Sequence, residues 1–158
     1  MSSKHKRPIS PFPDVTLGSI GFPLLSIGIF YGLDIWLSSP RLLSYPLNLS
    51  GIVFIILGVS LSSWCFRVAF ALPKEPILVT RGPWAHTRHP IYLAGLLVNL
   101  GVAMMIGTAL LVLEFIGYAL LEILFDTPRE EKTLRKSFPE EYEEYSKRVP
   151  SWIPRIKG

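Results

Sequence analysis

The sequence predicts an all-α integral membrane protein. It has about four transmembrane helices, the last two forming a tight C-terminal hairpin, and then a cytoplasmic C-terminal amphipathic helix. Three observations carry this expectation. Hydrophobic residues make up 49% of the 158-residue chain and charged residues 18%, against about 25% charged in an ordinary soluble domain. The apolar residues are grouped into long runs. The basic residues collect in the segments between those runs, as they do in loops held on the cytoplasmic side of a bilayer.

Taken in order, residues 1–16 are polar, basic and proline-rich, with Pro8, Pro11 and Pro13 arguing against helix. Lys4 to Arg7 look like the start of a signal peptide, but the following apolar run is long and no small-residue cleavage site follows, so it reads as a retained first helix. That run, Leu17 to Leu37, carries Asp34 as its only charge and has about the 20 residues that a bilayer core requires. A short loop, 38–46, contains Pro40 and Pro46. The second span runs from Leu47 to Leu72, and its Arg67 lies about a turn from the inner end, within snorkelling reach of the interface. Residues 1–16, 17–72, 73–90, 91–125 and 126–158 thus divide into tail, two spans, loop, hairpin and tail of a single domain. The hairpin run is too long for one span, and Gly107 near its midpoint marks the turn. The last segment carries a helical pattern from Arg129 to about Lys147, with Thr127 and Glu130 spaced as a capping box.

Charge placement fits this layout with both termini inside. The inner segments hold Lys4, Lys6, Arg7, Lys74, Arg81, Arg88, Arg129, Lys132, Arg135, Lys136, Lys147, Arg148, Arg155 and Lys157, whereas the outer loop holds only Arg41. An odd number of spans would export the basic tail, so the bias favours an even number. The net charge of +4 and pI of 9.3 are then explained by anionic lipid, and no basic patch interleaved with aromatics suggests nucleic acid. The expected partner is the lipid bilayer. The single cysteine, Cys65, excludes an intrachain disulfide.

Chemistry-bearing residues concentrate in two places. Arg81 to Tyr92 combines cations, aromatics, two histidines and rigid turns at a helix entrance, with Pro90 suited to the first turn. The plain alternative is an interfacial anchor using Trp84, Tyr92 and Arg88. Arg129-Glu130-Glu131, followed by Leu134, Phe138, Tyr142 and Tyr145, is the second cluster, and alone it reads more readily as a capped amphipathic helix than as a site. Glu114, Tyr118 and Glu122 share a helix face inside a span. Either Glu122 pairs with Arg67, or these acids line a substrate passage. A zinc site from His86, His89 and Cys65 lacks any CxxC or HExxH companion, so no metal is expected. Walker and GxGxxG loops are absent, as is the internal repeat of many transporters.

The run Leu78-Val79-Thr80-Arg81-Gly82-Pro83-Trp84, then Arg88-His89-Pro90-Ile91-Tyr92, then Glu130-Glu131 with Leu134, Phe138, Glu141-Tyr142, Tyr145, Arg148-Val149-Pro150 and Pro154, resembles the isoprenylcysteine carboxyl methyltransferases. The likeness covers about residues 74–156, and the first two spans match in hydropathy alone. The resemblance implies S-adenosylmethionine as cofactor, a cytosol-facing pocket built by the 73–90 loop and the tail, and a lipophilic substrate entering from the membrane. It implies that Pro76, Ile77, Leu78, Val79, Trp84, His89, Pro90, Ile91, Tyr92 and Glu130 hold the cofactor. The family carries an arginine where this chain has Asp126, four residues before Glu130. Aspartate repels a carboxylate, so Arg129, Arg88 or Arg67 stands in for that role. Arg88 and Arg129 are the candidate catalytic residues, and Asp126, Arg67 and Glu122 the candidate substrate residues. The implied reaction is methyl transfer to an apolar or amphipathic acceptor, such as the carboxylate of a prenylated cysteine. Methylation of a small thiol, amine or lipid head group, and a non-catalytic lipid-binding protein on the same scaffold, are the alternatives.

Overall fold

The computed structural model describes residues 21–71 and 77–153. Expectations for the N-terminal tail, the start of the first span, Pro76 and Pro154 therefore lie outside the described residues. Within them the chain is helical throughout, with no strand: α1 (Phe22–Leu37), α2 (Gly51–Phe70), α3 (Pro90–Ile106), α4 (Ala109–Leu121), α5 (Thr127–Ser137) and α6 (Pro139–Arg148). A 3-10 turn, Leu47–Ser50, leads into α2, and together they form a 24-residue apolar helix, Leu47–Phe70, long enough to cross a membrane. Helices α1 and α3 are shorter apolar helices.

The outward faces are apolar. Leu24, Ile35 and Trp36 on α1, Val53, Ile56 and Leu57 on α2, and Leu113, Leu120 and Leu124 further on are all exposed large hydrophobics. So much contiguous apolar surface suits lipid, not water.

In lipid, helices gain little from hydrophobic exclusion, and close backbone approach through small residues must supply the packing. Helices α2 and α3 form the most extensive helix pair in the structure. Gly51, Gly58 and Cys65 recur every seven residues on the buried side of α2, which keeps them on one stripe. Opposite them sit Ala94 and Gly101 of α3. A Cβ at Gly58 would stand 2.7 Å from the Ala94 carbonyl oxygen, and one at Gly101 would stand 2.6 Å from the Gly51 carbonyl oxygen. A polar cluster adds to the contact of α1, α3 and α4: Ser26 Oγ donates to Glu114 Oε1 at 2.6 Å and Asn99 Nδ2 donates to the same oxygen at 3.1 Å.

At its C-terminal end, α3 stops at Gly107 with φ +74. A side chain there would be strained by that φ and would also strike the Leu43 carbonyl oxygen. The Gly107 carbonyl accepts from Leu42 N–H at 2.7 Å and Leu43 N–H at 3.0 Å, which ties the α1–α2 loop to the hairpin turn.

Two features differ from the sequence-based expectations. First, no capping box forms at Thr127. Helix α4 continues through a π turn, Glu122–Asp126, directly into α5. Thr127 donates its N–H to Glu122 O, and its side chain is buried with no hydrogen-bond partner. The reason is Pro128, whose ring would collide with the carbonyl four residues back in a regular helix; the wider turn just before it avoids that. Second, the Arg129–Lys147 helix is broken in two. Phe138 leaves the helical region at φ −135, ψ 65, because Pro139 disfavours that region for the residue before it.

Gly58→Leu is expected to push α2 from α3 and lower stability by about 3 kcal/mol, whereas Val59→Leu on the exposed face has little effect. Melting of the two variants in the same detergent checks this.

Candidate functional site

The first wall of the site is the segment entering α3. Residues 77–80 belong to no helix or strand, Arg81 is extended, and a 3-10 turn, Gly82–Ala85, follows. Pro90 then starts α3, with His89 at its N-cap position. Pro90 costs the helix nothing here, since the first-turn N–H groups have no internal acceptor. It leaves the His89 side chain at the helix entrance, 2% exposed.

The second wall is α5. Because α4, the π turn and α5 are continuous, Glu130 and Glu131 leave the apolar bundle on one helix and arrive opposite His89. Glu130 Oε2 lies 3.0 Å from His89 Nδ1, and Glu131 Oε1 lies 3.1 Å from His89 Nε2. Ionised carboxylates only accept, so both ring nitrogens must donate, and His89 is held as an imidazolium. Burial alone would lower its pKa, but the two carboxylates outweigh that and hold it above the ordinary imidazole value. Glu131 is held below the usual carboxylate range by its bond from His89, against the effect of burial, with Arg88 adding to the fall.

Arg88 completes the charge balance. It lies 3.1 Å from Glu131 and donates to the Tyr142 hydroxyl at 3.3 Å. Tyr142 and Tyr145 anchor the apolar core of the head with Val149, against which Leu78, Leu134 and Phe138 pack. Burial, then Glu131, pushes the Tyr142 hydroxyl up to about 12, so it stays protonated. The Tyr145 hydroxyl donates to Trp84 O at 2.7 Å, pinning the 3-10 turn to α6.

Between the walls lies a small cleft that opens to the outside. Every described member of the expected cofactor set lines it: Ile77, Leu78, Val79, Trp84, His89, Pro90, Ile91, Tyr92 and Glu130. Arg88 lines it too, with Leu134 and Tyr145. The other expected residues stand apart from this lining. Arg129 is exposed and only 3.9 Å from Asp126. Arg67 is exposed on α2, whereas Glu122 is buried. The expected Arg67–Glu122 ion pair does not form, because α2 packs on α3 and not on the helix carrying Glu122. Glu122 instead has Tyr118 one turn before it, both 3% exposed. Among the described residues, no group of three His, Cys, Asp or Glu side chains is placed to hold a metal.

Sequence reasoning named Glu131 only as part of a motif and missed Thr87, Ser151 and Trp152. Thr87 is 2% exposed and donates to Ser151 O at 2.8 Å, while Ser151 Oγ donates to Glu131 at 3.3 Å. The polarity of Thr87 and Ser151 within an otherwise aromatic and cationic pair of segments was the available signal.

The clamp gives a signed pH dependence. The His89 contribution is complete below the ordinary imidazole pKa of about 6.5 and is lost as pH rises through the elevated value. The Glu131 contribution is present above the ordinary carboxylate range and is lost as pH falls through its depressed value. Thermal stability in detergent should therefore peak from mildly acidic to neutral pH and decline on both sides. Glu131→Gln should lose about 2 kcal/mol and flatten the alkaline decline.

The sequence profile described as the isoprenylcysteine carboxyl methyltransferase family matches residues 47–136. A cobalt-zinc-cadmium resistance protein of Cupriavidus metallidurans is 36% identical over 107 residues, covering 64% of this chain and 48% of the relative. A protein-S-isoprenylcysteine O-methyltransferase of Schizosaccharomyces pombe is 38% identical over 97 residues, covering 60% of this chain and 40% of the relative. The human protein-S-isoprenylcysteine O-methyltransferase is 39% identical over 84 residues, covering 51% and 28%. The chain thus spans about half or less of the length of these curated relatives. The profile match covers more than half of this chain, including His89, Glu130 and Glu131, and the chain belongs to the isoprenylcysteine carboxyl methyltransferase family.

Proposed function

We propose that the protein transfers a methyl group from S-adenosylmethionine to an apolar or amphipathic acceptor that reaches the cleft from the bilayer. The O-methylation of S-isoprenylcysteine named for its relatives is the reaction carried over, with the acceptor carboxylate as nucleophile. The observation that carries this reading is a mostly apolar cleft lined by His89 and Glu130, two members of the His89–Glu130–Glu131 clamp. Its residues fit such a ligand. Ile77, Leu78, Val79 and Trp84 offer an apolar wall to a nucleoside, and Glu130 offers a carboxylate to an amino group.

When bound, the cofactor supplies a methyl carbon already activated by the sulfonium charge, so the chain has to position the acceptor and exclude water. A carboxylate acceptor is ionised at neutral pH and needs no general base. Arg88, which lines the cleft, orients that carboxylate in this reading, with Arg129, one residue before Glu130 on α5, as the second candidate. Asp126 and Glu122, in the π turn before α5, are the substrate-side candidates in this reading, and Arg67, exposed on α2, is a third that stands apart from them. Four spans with both termini cytoplasmic complete the proposal, supported by the distribution of Lys and Arg. The 73–90 loop and the 126–158 tail then share the cytoplasmic side.

Calorimetric titration with S-adenosylhomocysteine tests the cofactor assignment. Glu130→Ala and His89→Ala should each weaken binding at least about tenfold, the loss of one charge-assisted hydrogen bond; unchanged affinity in both would defeat it. A labelled-methyl assay with a prenylated cysteine, run alongside native membranes, identifies the acceptor.

A further inference from the structure

Residues 149–152 follow α6 as a strap, beyond the 47–136 stretch matched by the family profile. This strap returns to the site and is fixed there by the loop before α3. Arg88 N–H donates to Pro150 O at 2.9 Å. The Thr87 hydroxyl lies 2.8 Å from Ser151 O and 3.2 Å from Trp152 O, shared between them. Thr87 is 2% exposed, so this hydroxyl is fully committed to the strap. The strap in turn touches two of the three members of the clamp. Ser151 Oγ donates to Glu131 Oε1 at 3.3 Å, and the Trp152 ring lies against His89 with centroids 5.9 Å apart and planes inclined at 34°. The Tyr92 ring lies on His89 as well, at 5.7 Å and 22°.

We infer that Trp152 is a positioning residue of this site: its ring holds His89 in the orientation that bridges Glu130 and Glu131, and favours the charged form that the bridge requires. An imidazolium is attracted to an aromatic face and a neutral imidazole much less so. The indole thus adds to the preference set by the two carboxylates, and the strap sets how far into alkaline pH the clamp stays closed. The ionisable groups around His89 are Glu130 and Glu131 from α5, Glu122 from the π turn, Tyr92 from α3 and the adjoining Arg88. Trp152 contributes no charge of its own, so its effect separates from theirs. Only the binding readout below rests on the proposed cofactor.

The test uses the full chain in nanodiscs, with ring-labelled histidine followed by nitrogen NMR across pH, and S-adenosylhomocysteine titrated at each pH. In Trp152→Ala the His89 midpoint should fall by about half a pH unit, the size of one cation–aromatic contact. The alkaline limb of ligand affinity should move with it, and Trp152→Phe should restore most of both. Thr87→Val, which keeps the ring but releases the strap, should shift the midpoint in the same direction, and it decides the matter if Trp152→Ala does not fold. A midpoint unmoved in the folded variants overturns the inference, whatever the ligand data. A midpoint that moves in a protein that never binds S-adenosylhomocysteine leaves the positioning role standing and removes the cofactor reading.

Discussion

The head of this protein is organised around one side chain that donates at both ends. His89, buried at the entrance of α3, can satisfy two carboxylates only as an imidazolium, and those carboxylates sit on adjacent residues of α5. Adjacent helical positions point about 100° apart, so a single ring between them fixes both the distance and the rotation of α5 relative to the loop. Arg88 brings the group to formal neutrality by pairing with Glu131. A neutral, fully paired set is affordable in a half-dry cleft where a lone charge is not. The aromatic core of Tyr142 and Tyr145 excludes water from one side and sends a hydroxyl back to Trp84.

The membrane part places this group through different physics. Small residues at intervals of seven bring α2 and α3 into backbone contact, and Val68 of α2 then lies against Gly82, at the 3-10 turn that precedes the site. From the other side, the unbroken passage of α4 through the π turn into α5 transmits the position of the bundle to Glu130 and Glu131. A flexible loop at residues 122–126 would have lost that register. The π turn keeps the helix intact past Pro128 and turns the Glu122 side chain into the interior. A buried carboxylate thus sits on the helix that leads to the site, two turns before Glu130.

Much of this was legible beforehand. Long apolar runs separated by prolines and basic residues defined the helices α1 to α4 closely, because a helix in lipid must satisfy its own backbone and be apolar throughout. Gly107 marked the hairpin turn for a local reason, a positive φ. The Arg88-His89-Pro90-Ile91-Tyr92 and Glu130-Glu131 runs attracted attention by composition. Thr127 and Glu130 misled, since cap spacing is a local pattern and the preceding helix had not ended. Arg67 and Glu122 misled because similar depth in a bilayer does not mean adjacency: their helices have different neighbours. Nothing near Thr87 or Trp152 in the chain announces that they meet.

The sequence by itself determined the helical class, the family and the kinds of side chain available, since these follow from local periodicity, hydropathy and motif. Only the tertiary structure decided which carboxylate faces which ring nitrogen, that Glu131 is shared between Arg88 and His89, and that the strap closes over them. Those pairings join residues some forty to sixty positions apart. They depend on the crossing and rotation of helices, which are set by packing over the whole bundle and leave no local trace in the chain.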